Sequence, residues 1–535
     1  MSKHEFFFKI ATTADEFEQI HRLNYQTFSE EIPQHAKNEE QKLVDPFHAE
    51  NTYIICVKEN EVIGMTAIRD KRPFSLDRKI GPVEQSLSFP VFFPCEVRLL
   101  SVKKEYRNGR VFLGLAQFLI KYCLKKGYDI AFISGTVRQL KLYGQLGFQP
   151  FAQLTGTDEA LFQPMYLTKK TFDESIAGRI LPPTIPFLPG PVQITKKVMN
   201  ALSTTPISHR SEHYKEKIAR AKDMLAKLVN SKYVHIFLGS GTLANDVVAG
   251  QLSLESGRGL ILANGEFGSR LVEQAKRFGL QFDVLEKDWG QAFTRDELIS
   301  AISETTSWIW AVHSETSSGM LNDLGLLKEI SEKYELKLCL DCISSLGAIE
   351  IDLDGVFLAT GVSGKAIRGL TGLSFVFHHH EVQPSLALPK FLDLGTYMAK
   401  GSVPFSQSSN LLEALLAALE DVNRETFEKV IETHTFLKNQ LIEFGFTIIS
   451  EHNSSPMILT IEIPSGVSSV VIGDILYHHG YQLHYESDYL QQRNWIQIAC
   501  IDHYDKADLE KMTNLLNRVI AYEQKSTQHT LVNGQ

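Results

Sequence analysis

The chain has little of what marks secreted, disulfide-stabilised or membrane-spanning proteins. It has only six cysteines in 535 residues, at positions 56, 95, 123, 339, 342 and 500, and their spacing gives no disulfide framework. No apolar run reaches the roughly 18 residues that a membrane span needs. The apolar patch at the N-terminus is too short for a signal peptide. We therefore expect a cytoplasmic protein with no membrane span.

Positive charge is not in excess either. The 54 lysines and arginines are outnumbered by 63 aspartates and glutamates, a formal net charge of −9, which argues against generalised nucleic-acid binding. Cys339 and Cys342 are spaced like half of a zinc site, but no second pair follows. Both cysteines flank Asp341 in an apolar run, so we predict a strand and no metal. The histidines 378–380 more simply form a turn.

Length and composition predict two α/β domains of unequal size. A chain of 535 residues with 43% hydrophobic content can bury two cores. Prolines clustered between residues 181 and 189 predict a stiff, extended linker. We expect an N-terminal domain over 1–170, the linker over 171–188, and a second domain over 189–525 whose small C-terminal subdomain covers about 430–525.

Lys365 lies in a run of small residues, Gly361-Val-Ser-Gly-Lys365, downstream of Asp341. Asp341 ends an apolar run that begins at Leu336, which predicts a buried strand with a carboxylate at its C-terminal end. Pyridoxal 5′-phosphate (PLP) needs these two groups, a lysine for the Schiff base and a carboxylate that keeps the pyridine nitrogen protonated. Either residue alone is more often a solvated loop lysine or a helix cap.

Two further features precede these residues in the chain. An apolar segment at 237–238 leads into Gly239-Ser-Gly-Thr242 and then a helical pattern, which presents backbone N–H groups to a phosphate. Phe267 stands between glycines in the segment 264–270, where its ring could lie flat on a cofactor ring. Phosphate cradle, ring stacker, carboxylate and lysine then follow in the order that a fold-type I PLP enzyme requires.

Residues from about 180 to 522 resemble the class V aminotransferases, which include alanine–glyoxylate, serine–pyruvate and 2-aminoethylphosphonate–pyruvate aminotransferases. The matching segments are 188–191, 208–210, 239–242, 264–270, 313–319, 341–347 and Lys365. The resemblance implies a large α/β domain with a mainly parallel sheet, a small C-terminal α/β domain and bound PLP. It also implies an amine or amino acid and a keto acid as substrates, and a homodimer with shared sites.

The same resemblance implies roles for individual residues. The phosphate would be held by Ser240, Gly241 and Thr242, and the ring by Phe267 on one face, Ile343 on the other, Thr316 near its oxygen and Asp341 at its nitrogen. Ser363 would be a further cofactor contact, and Lys365 would be both the Schiff base and the proton shuttle. Ser406 lies in a segment that resembles the one reaching the phosphate site of the partner.

The sequence departs from the family at two positions. Gly364 stands where the family usually has a polar residue, often glutamine, so one phosphate contact is missing or comes from elsewhere. Gln497 stands where the family usually has an arginine that pairs with the substrate carboxylate, and an amide offers no charged fork. Arg493 or Arg368 could substitute. Decarboxylase or lyase chemistry therefore stays open beside transamination.

The N-terminal region shows strand patterns at 61–69 and 95–102, then a basic turn with Arg107 and Gly109, then helical spacing over 111–124. A strand, such a turn and a helix N-terminus suit a pyrophosphate or phosphopantetheine arm. These segments resemble the GNAT N-acyltransferase superfamily. The glycine after Arg107 comes one place earlier than in that superfamily, which weakens a plain acetyl-CoA interpretation and favours the alternative of a non-catalytic binding or assembly module.

Three segments, 21–31, 45–48 and 96–98, look more like the autoinducer-synthase and N-acyl amino acid synthase branch. That branch takes long acyl groups, so the resemblance implies acyl-CoA or an acyl carrier protein thioester as co-substrate, with acyl carrier protein as a possible partner. In GNAT chemistry Glu96 would accept the proton of the amine and Tyr143 would protonate the leaving thiolate.

Two arginines complete the candidate site of this region. Arg98 and Arg22 are candidate substrate contacts. For Glu96, an ion pair with Arg98 is an equally weighted alternative to catalysis, and Arg22 is most simply an exposed charge.

Together these features predict a bifunctional enzyme. Its PLP half would make or consume an amine, and its acyltransferase half would cap an amine as an amide. The alternative is a PLP-dependent decarboxylase or lyase fused to a non-catalytic GNAT-like module.

Overall fold

The structure is a computed structural model that describes residues 6–32, 34–156, 161–181, 183–401 and 403–533. The chain forms two compact units. The first comprises Met1–Ile185, Asp474–Tyr481 and Arg518–Gln535, and the second comprises Pro186–Gly473 and Gln482–Asn517. The division after Ile185 lies within the segment for which the sequence predicts a linker. The grouping of two C-terminal segments with the first unit has no counterpart in the sequence predictions.

The described residues form twenty strands and eighteen α-helices, with short 3-10 and π-helical turns besides. The strands are β1 Phe7–Ile10, β2 Thr52–Lys58, β3 Glu61–Arg69, β4 Pro94–Val102, β5 Ile130–Thr136, β6 Gln149–Pro150, β7 Phe162–Thr168, β8 Ile185–Phe187, β9 Tyr233–Leu238, β10 Arg258–Ala263, β11 Phe282–Glu286, β12 Thr306–Val312, β13 Ser314–Glu315, β14 Met320–Leu321, β15 Lys337–Asp341, β16 Leu358–Val362, β17 Leu373–His378, β18 Ile458–Glu462, β19 Tyr481–Leu483 and β20 Trp495–Ala499.

The helices of the N-terminal third are short apart from α1 and α3. The full set is α1 Ala14–Tyr25, α2 Asp77–Ile80, α3 Arg110–Lys126, α4 Leu140–Gln145, α5 Lys169–Asp173, α6 Ile176–Ile180, α7 Lys196–Leu202, α8 Glu212–Leu228, α9 Gly241–Leu252, α10 Glu266–Arg277, α11 Arg295–Ala301, α12 Leu324–Lys333, α13 Leu394–Ala399, α14 Ser409–Leu419, α15 Arg424–Glu443, α16 Ser469–His478, α17 Asp488–Arg493 and α18 Lys506–Asn533.

The first unit is built on a seven-stranded sheet of order β1-β2-β3-β4-β5-β7-β6. Strands β4 and β5 are parallel neighbours, but they pair only between Pro94–Glu96 and Ile130–Phe132. Beyond Glu96 the two strands are not paired, while β4 continues to pair with β3 on its other side. The sheet therefore opens between β4 and β5.

The second unit is built on another seven-stranded sheet, of order β11-β10-β12-β15-β16-β17-β9. The pairs from β11 to β16 are parallel, and β17 is antiparallel to β16 and β9. Apolar clusters cover both faces of this sheet, one packed under α8, α12 and α14 and the other under α9 and α10. The expected mainly parallel α/β sheet is confirmed. A small antiparallel pair of β18 and β20 follows nearer the C-terminus.

The segment predicted as a linker begins with helical structure. Two short helices, α5 and α6, occupy most of the segment 169–180, and the side chains of Thr168 and Ser175 cap their N-termini. Both helices end before the proline cluster on which the prediction of an extended stretch rests. In the described part of the chain, no helix combines the length and the apolar character that crossing a membrane requires, and no group of three or more His, Cys, Asp or Glu side chains could hold a metal ion.

Candidate active site

Lys365 lies on the loop after β16, beside the strand end that carries Asp341. Burial lowers the pKa of Lys365; the Asp341 carboxylate raises that pKa and the Arg270 guanidinium lowers it. A lowered pKa increases the neutral fraction of the amine, which is the nucleophilic form. A Cβ at Gly190 would lie 3.4 Å from Lys365 Nζ, so a glycine keeps one side of the amine open.

Asp341 is the last residue of β15, as the sequence predicts, and it is buried. Its carboxylate accepts hydrogen bonds from Asn245 Nδ2 at 2.8 Å and from the Ile343 amide at 2.9 Å. Asn245 is itself oriented by the Thr360 hydroxyl at 2.9 Å. Burial raises the pKa of Asp341, while these bonds and the Lys365 charge lower it. A buried carboxylate held in this way is suited to pair with a protonated ring nitrogen.

The phosphate cradle predicted at 239–242 is the N-terminus of helix α9. Ser240 is its N-cap residue in an extended conformation, but no side chain caps the helix. The backbone N–H groups of the first turn, at Gly241 and Thr242, therefore have no capping side chain, and the helix dipole favours an anion there. A Cβ at Gly241 would lie 2.5 Å from Ile343 Cδ1, so this position requires glycine.

Phe267 lies in the first turn of α10, and a buried carboxylate fixes that turn. Glu315 accepts a hydrogen bond from the Gly268 amide at 2.9 Å and from the Ser317 hydroxyl at 2.5 Å. Burial raises the pKa of Glu315 to about 7, although these bonds oppose the shift. A Cβ at Gly265 would lie 2.4 Å from Glu315 Cγ. Glu315 thus reaches the helix only because residue 265 is glycine.

The side-chain amide of Gln497 is fully engaged with protein groups. Its nitrogen lies 2.6 Å from the Thr316 carbonyl, 3.0 Å from the Ser317 carbonyl and 2.8 Å from Thr460 Oγ1. Its oxygen lies 2.9 Å from His484 Nδ1. Gln497 is completely buried on β20. Its side chain ties β20 to the Thr316 turn and leaves no donor for a substrate acid.

Two other predicted cofactor contacts, Ser363 and Ser406, and the departure from the family at Gly364 have distinct surroundings. The Ser363 hydroxyl donates to the Leu370 carbonyl at 2.5 Å within its own loop. Gly364 has no room for the usual polar side chain, since a Cβ there would lie 2.6 Å from Thr371 Oγ1. Ser406 is exposed. The loop around Lys365 is therefore held by its own contacts.

The two arginines predicted to replace the missing substrate arginine differ in environment. The Arg493 guanidinium stacks 3.6 Å from the centre of the Trp289 ring and donates to the Tyr489 carbonyl at 3.4 Å. It has no carboxylate partner among the residues that the structure describes. Arg368 is buried and lies 3.6 Å from Asp502 Oδ1. Stacking orients Arg493 while leaving its fork available.

The residues of the second unit fit PLP on three structural grounds. The N-terminus of α9 lacks a capping side chain, as a phosphate site requires. Asp341 is buried and oriented for a ring nitrogen. The pKa of Lys365 is lowered by burial, which suits an imine-forming amine. That the protein holds no metal stays a prediction.

In the first unit, Glu96 is fully buried. Its carboxylate accepts hydrogen bonds from the Ser75 amide at 2.8 Å, the Ser75 hydroxyl at 2.6 Å and the Leu76 amide at 3.0 Å. Arg98 Nε lies 3.6 Å away, but the Arg98 fork binds both oxygens of Asp45 at 3.0 Å. Glu96, Arg98 and Asp45 thus form one buried network.

The predicted anion loop of the first unit leads into α3 as expected. Gly109 has a φ of 87° and precedes the helix, which has no side-chain cap. Arg107 donates to the Val102 carbonyl at 2.8 Å and pairs with Glu31 at 2.8 Å. The guanidinium is therefore partly occupied. The Arg110 amide in the first turn of α3 donates to Asn108 Oδ1 at 3.1 Å, and the N-cap residue Gly109 offers no side chain to the amides that follow.

Tyr143 and Arg22 lie in contrasting positions. Tyr143, on α4, packs with Phe148, and burial raises its pKa while a hydrogen bond with Thr136 lowers it. A phenol with a raised pKa is protonated at neutral pH, as a thiolate-protonating acid must be. The Arg22 side chain is 62% exposed and bonds to Glu18 one helical turn earlier, as expected of an exposed charge.

Sequence reasoning missed Glu315 and His484. Glu315 lies among small polar residues in the segment 313–319, and nothing in the pattern distinguishes a buried acid there from an exposed one. His484 links Gln497 to the Ser487 hydroxyl at 2.8 Å, a contact between separate elements. The only available signal was Gly265, whose missing side chain makes room for Glu315.

Comparison with known proteins gives two family matches. Residues 193–411 match the model of the class V aminotransferases, and residues 23–117 match that of the acetyltransferase (GNAT) domain. The Thermus thermophilus aspartate aminotransferase of subgroup IV has the same fold as the aminotransferase part of this chain, with a TM-score of 0.58 and 24% identity over 63% of this chain and 99% of that chain.

Two curated relatives show the closeness of the match. The 2-aminoethylphosphonate–pyruvate transaminase of Pseudomonas fluorescens (strain Pf0-1) is 30% identical over 253 residues, 44% of this chain and 68% of that protein. The soluble hydrogenase 42 kDa subunit of Anabaena cylindrica is 32% identical over 269 residues, 47% of this chain and 70% of that protein. The chain therefore belongs to the class V aminotransferase family and carries a GNAT domain on the N-terminal side.

Proposed function

We propose that this PLP-dependent aminotransferase is bifunctional: one half transaminates a small amine or amino acid with a keto acid, and the other half N-acylates an amine with an acyl thioester. The observation that supports the first half most strongly is the juxtaposition of the low-pKa amine of Lys365 with the buried carboxylate of Asp341. Linked halves would raise the effective concentration of a shared amine.

The residues of the PLP half would divide the work as follows. Ser240, Gly241 and Thr242 would hold the phosphate at the N-terminus of α9, and Asp341 would hold the ring nitrogen. When bound, PLP supplies an electron sink for charge on the carbon beside the amine. Lys365 would move a proton between that carbon and its own Nζ, which requires the neutral amine that burial favours.

For the acidic group of the substrate, Arg493 is the candidate that the surroundings favour. Gln497 has no free donor, whereas Arg493 is held by Trp289 and lacks a carboxylate partner among the described residues. A guanidinium fork accepts carboxylates, phosphonates and sulfonates alike. Taurine-like and aminophosphonate-like amines therefore belong beside alanine and glutamate as donors.

This assignment predicts a substrate-binding defect in Arg493→Gln. We expect KM for the acidic donor to rise about tenfold or more, because a charge-assisted pair is lost. Because Arg493 stacks on Trp289 and is not a proposed contact of the cofactor, the substitution should leave the absorbance of bound PLP unchanged. Steady-state kinetics with Arg277→Gln, an exposed arginine of α10, as the control would test it. An unchanged KM in Arg493→Gln would refute this role.

A decarboxylase or lyase is the second candidate, and the engagement of Gln497 favours it. An enzyme of that kind need not bind the α-carboxylate through an arginine. In a decarboxylase the carboxylate leaves as carbon dioxide, and in a lyase the enzyme can hold another group of the substrate. The two candidates differ in products. Release of carbon dioxide or a substrate fragment, with no keto acid requirement, would identify the second.

An apolar groove in the first unit supports the acyltransferase proposal. It has about 640 Å³ of empty space, including the part open to solvent. Its lining includes Val97, beside the point where β4 leaves β5, and residues of α3 from Ala116 to Leu124, a helical distance of about 12 Å. Most of the other lining side chains are large and apolar, which suits contact with an alkyl chain.

Filling the groove should change the preferred acyl chain. We expect Leu124→Trp to slow transfer from octanoyl and longer thioesters several-fold while acetyl transfer is unaffected, because only longer chains reach that end. Leu113→Trp is the matched control, since both leucines are exposed to about 40% on α3 and Leu113 does not line the groove. Equal effects of the two substitutions on all thioesters would contradict a role in chain binding.

The role of Glu96 needs a test of its own. Its three hydrogen bonds to Ser75 and Leu76 favour an ordering role over proton transfer, and they also favour the alternative of a non-catalytic module. Thioester turnover with a broad amine panel should fall in Glu96→Gln if the carboxylate is the base. No turnover in the wild-type protein with any amine would favour the non-catalytic module.

The proposal also covers the oligomeric state, the cellular compartment and the carrier of the acyl thioester. We propose a cytoplasmic homodimer, in which Ser406 reaches the phosphate site of the partner subunit, and a thioester carried by coenzyme A or acyl carrier protein. Ser406 is exposed within the chain, as such a role requires.

A further inference from the structure

The guanidinium of Arg368 has an unusual environment. Its side chain is only 6% exposed, and the one ion pair that it makes among the described residues, with Asp502 Oδ1, spans 3.6 Å, which is too far for a hydrogen bond. The structure gives its N–H groups no hydrogen-bond acceptor within the described part of the chain. Buried guanidinium groups are otherwise hydrogen-bonded because desolvation without partners is costly. An acceptor from outside the chain would complete this site.

Arg368 faces a polar pocket with about 610 Å³ of empty space, including the part open to solvent. The pocket is lined by Thr195, Arg368, Glu420, Asp421, Asn423, Glu425, Thr426, Lys429 and His503. The polar lining residues come from several separate segments of the chain. A small polar ligand could therefore reach Arg368 without burying unpaired groups of its own.

The carboxylates at the rim of the pocket do not compete for Arg368, since each has a cation of its own. Lys197 pairs with Asp421 at 2.8 Å, Arg220 with Glu420 at 2.7 Å and Lys429 with Glu425 at 2.6 Å. Repulsion of an incoming anion by these acids is reduced accordingly.

A helix terminus adds to the positive potential. The pocket lies at the N-terminus of α15, a 20-residue helix whose N-cap residue is Asn423. The dipole of a helix of that length favours an anion at this end. Asn423 satisfies the Thr426 amide at 3.1 Å, so the helix alone would not define a site. The buried, unsatisfied Arg368 is the independent observation.

We propose that this pocket binds a small oxyanion, a carboxylate or a phosphate, with Arg368 as its main ligand and Lys429 as a second contact. Both anions offer the paired oxygens that a guanidinium fork recognises. With substrate binding assigned to Arg493, none of the residues that line this pocket is among those proposed to bind PLP or substrate.

The bound anion would also act on the loop that carries Lys365. The Arg368 amide donates to the Lys365 carbonyl at 2.8 Å, and the Gly369 amide donates to the Ser363 carbonyl at 2.9 Å. Arg368 has a φ of 59°, a left-handed conformation that costs a non-glycine residue energy. Fixing the guanidinium would therefore stabilise this conformation of the loop.

The test is isothermal titration of the PLP-loaded enzyme, in which the phosphate cradle is filled, with inorganic phosphate and separately with acetate at constant ionic strength. We expect saturable binding of at least one ion to the wild type. Arg368→Gln should weaken binding about tenfold or more, through loss of a charge-assisted pair. Arg277→Gln, the control on an exposed arginine, should bind as the wild type.

Lys429→Gln provides a second variant should Arg368→Gln fold poorly, because Lys429 is half-exposed on α15. We expect it to weaken binding several-fold. Which ion binds more tightly distinguishes a carboxylate site from a phosphate site. Absence of binding in the wild type, or equal affinity in wild type, Arg368→Gln and Lys429→Gln, would overturn the proposal. Failure of transamination would leave these titrations unaffected, so the two proposals fail separately.

Discussion

Gln497 shows how one side chain can settle which groups are available to a substrate. Two backbone carbonyls, the Thr460 hydroxyl and His484 take up its amide. An arginine, the residue usual in the family, would place a charge among partners that suit an amide. Glutamine at this position therefore contributes hydrogen bonds that hold β20 to the Thr316 turn, and it also removes the charge that would bind a substrate carboxylate.

This view predicts the outcome of Gln497→Arg. We expect the variant to lose about 3 kcal/mol of unfolding free energy, because the new charge is buried without a carboxylate partner. Turnover of common α-amino acids should not increase. Urea unfolding and a donor panel measure both effects, and Gln492→Arg, at an exposed position of the adjacent helix, is the control. A stable variant with a newly gained preference for α-amino acids would contradict this account.

The sequence predicts single residues well where chemistry and chain order coincide. Asp341 at a strand end and Ser240 before a helix are found where the patterns place them. Hydrogen-bond partners that come from distant elements are beyond such patterns. The engagement of Gln497 by the Thr316 turn and the burial of Glu96 against Ser75 both depend on tertiary packing.

At the scale of elements, the N-terminus of α10 depends on Glu315. That carboxylate binds the Gly268 amide and thereby holds the turn that carries Phe267. Burial raises the pKa of Glu315 from 4.5 to about 7. Between these pH values the folded protein keeps a proton on Glu315 that the unfolded chain releases, so the contribution of Glu315 to stability falls as pH rises.

Glu315→Gln should remove this pH dependence. Relative to the wild type, we expect the variant to gain about 3 kcal/mol of unfolding free energy between pH 5 and pH 8, which is the linkage value for a shift of this size. Urea unfolding at both pH values measures it. Glu273→Gln, which removes an exposed acid of the same helix, should show no such change. A constant difference between Glu315→Gln and wild type would show that Glu315 does not titrate in this range.

Elements with strong local signals are predictable, and those without are not. The strand, turn and helix at 233–252 and the strand β4 follow from apolar runs and glycine turns. The helices α5 and α6, which precede the proline cluster, have no counterpart in the sequence predictions, because their caps are single hydroxyl groups. Short helices of this kind carry too few residues for a periodic signal.

At the scale of the whole molecule, two α/β units were predictable because each has its own core and its own sheet. The assignment of 474–481 and of the residues from 518 onward to the first unit was not predictable. Those segments carry no composition shift, and only long-range contacts such as the Lys9–Glu523 pair at 2.6 Å reveal the grouping.

The account of the whole molecule depends on conversion of an amine by the PLP half. The most direct test is the visible spectrum of the purified protein during anaerobic addition of single amine donors, with Lys365→Ala in parallel. We predict that an acidic amine converts the absorbance of the bound cofactor to that of pyridoxamine phosphate, that a keto acid reverses the change, and that Lys365→Ala shows neither. A cofactor that binds to the wild type but converts with no donor would contradict transamination.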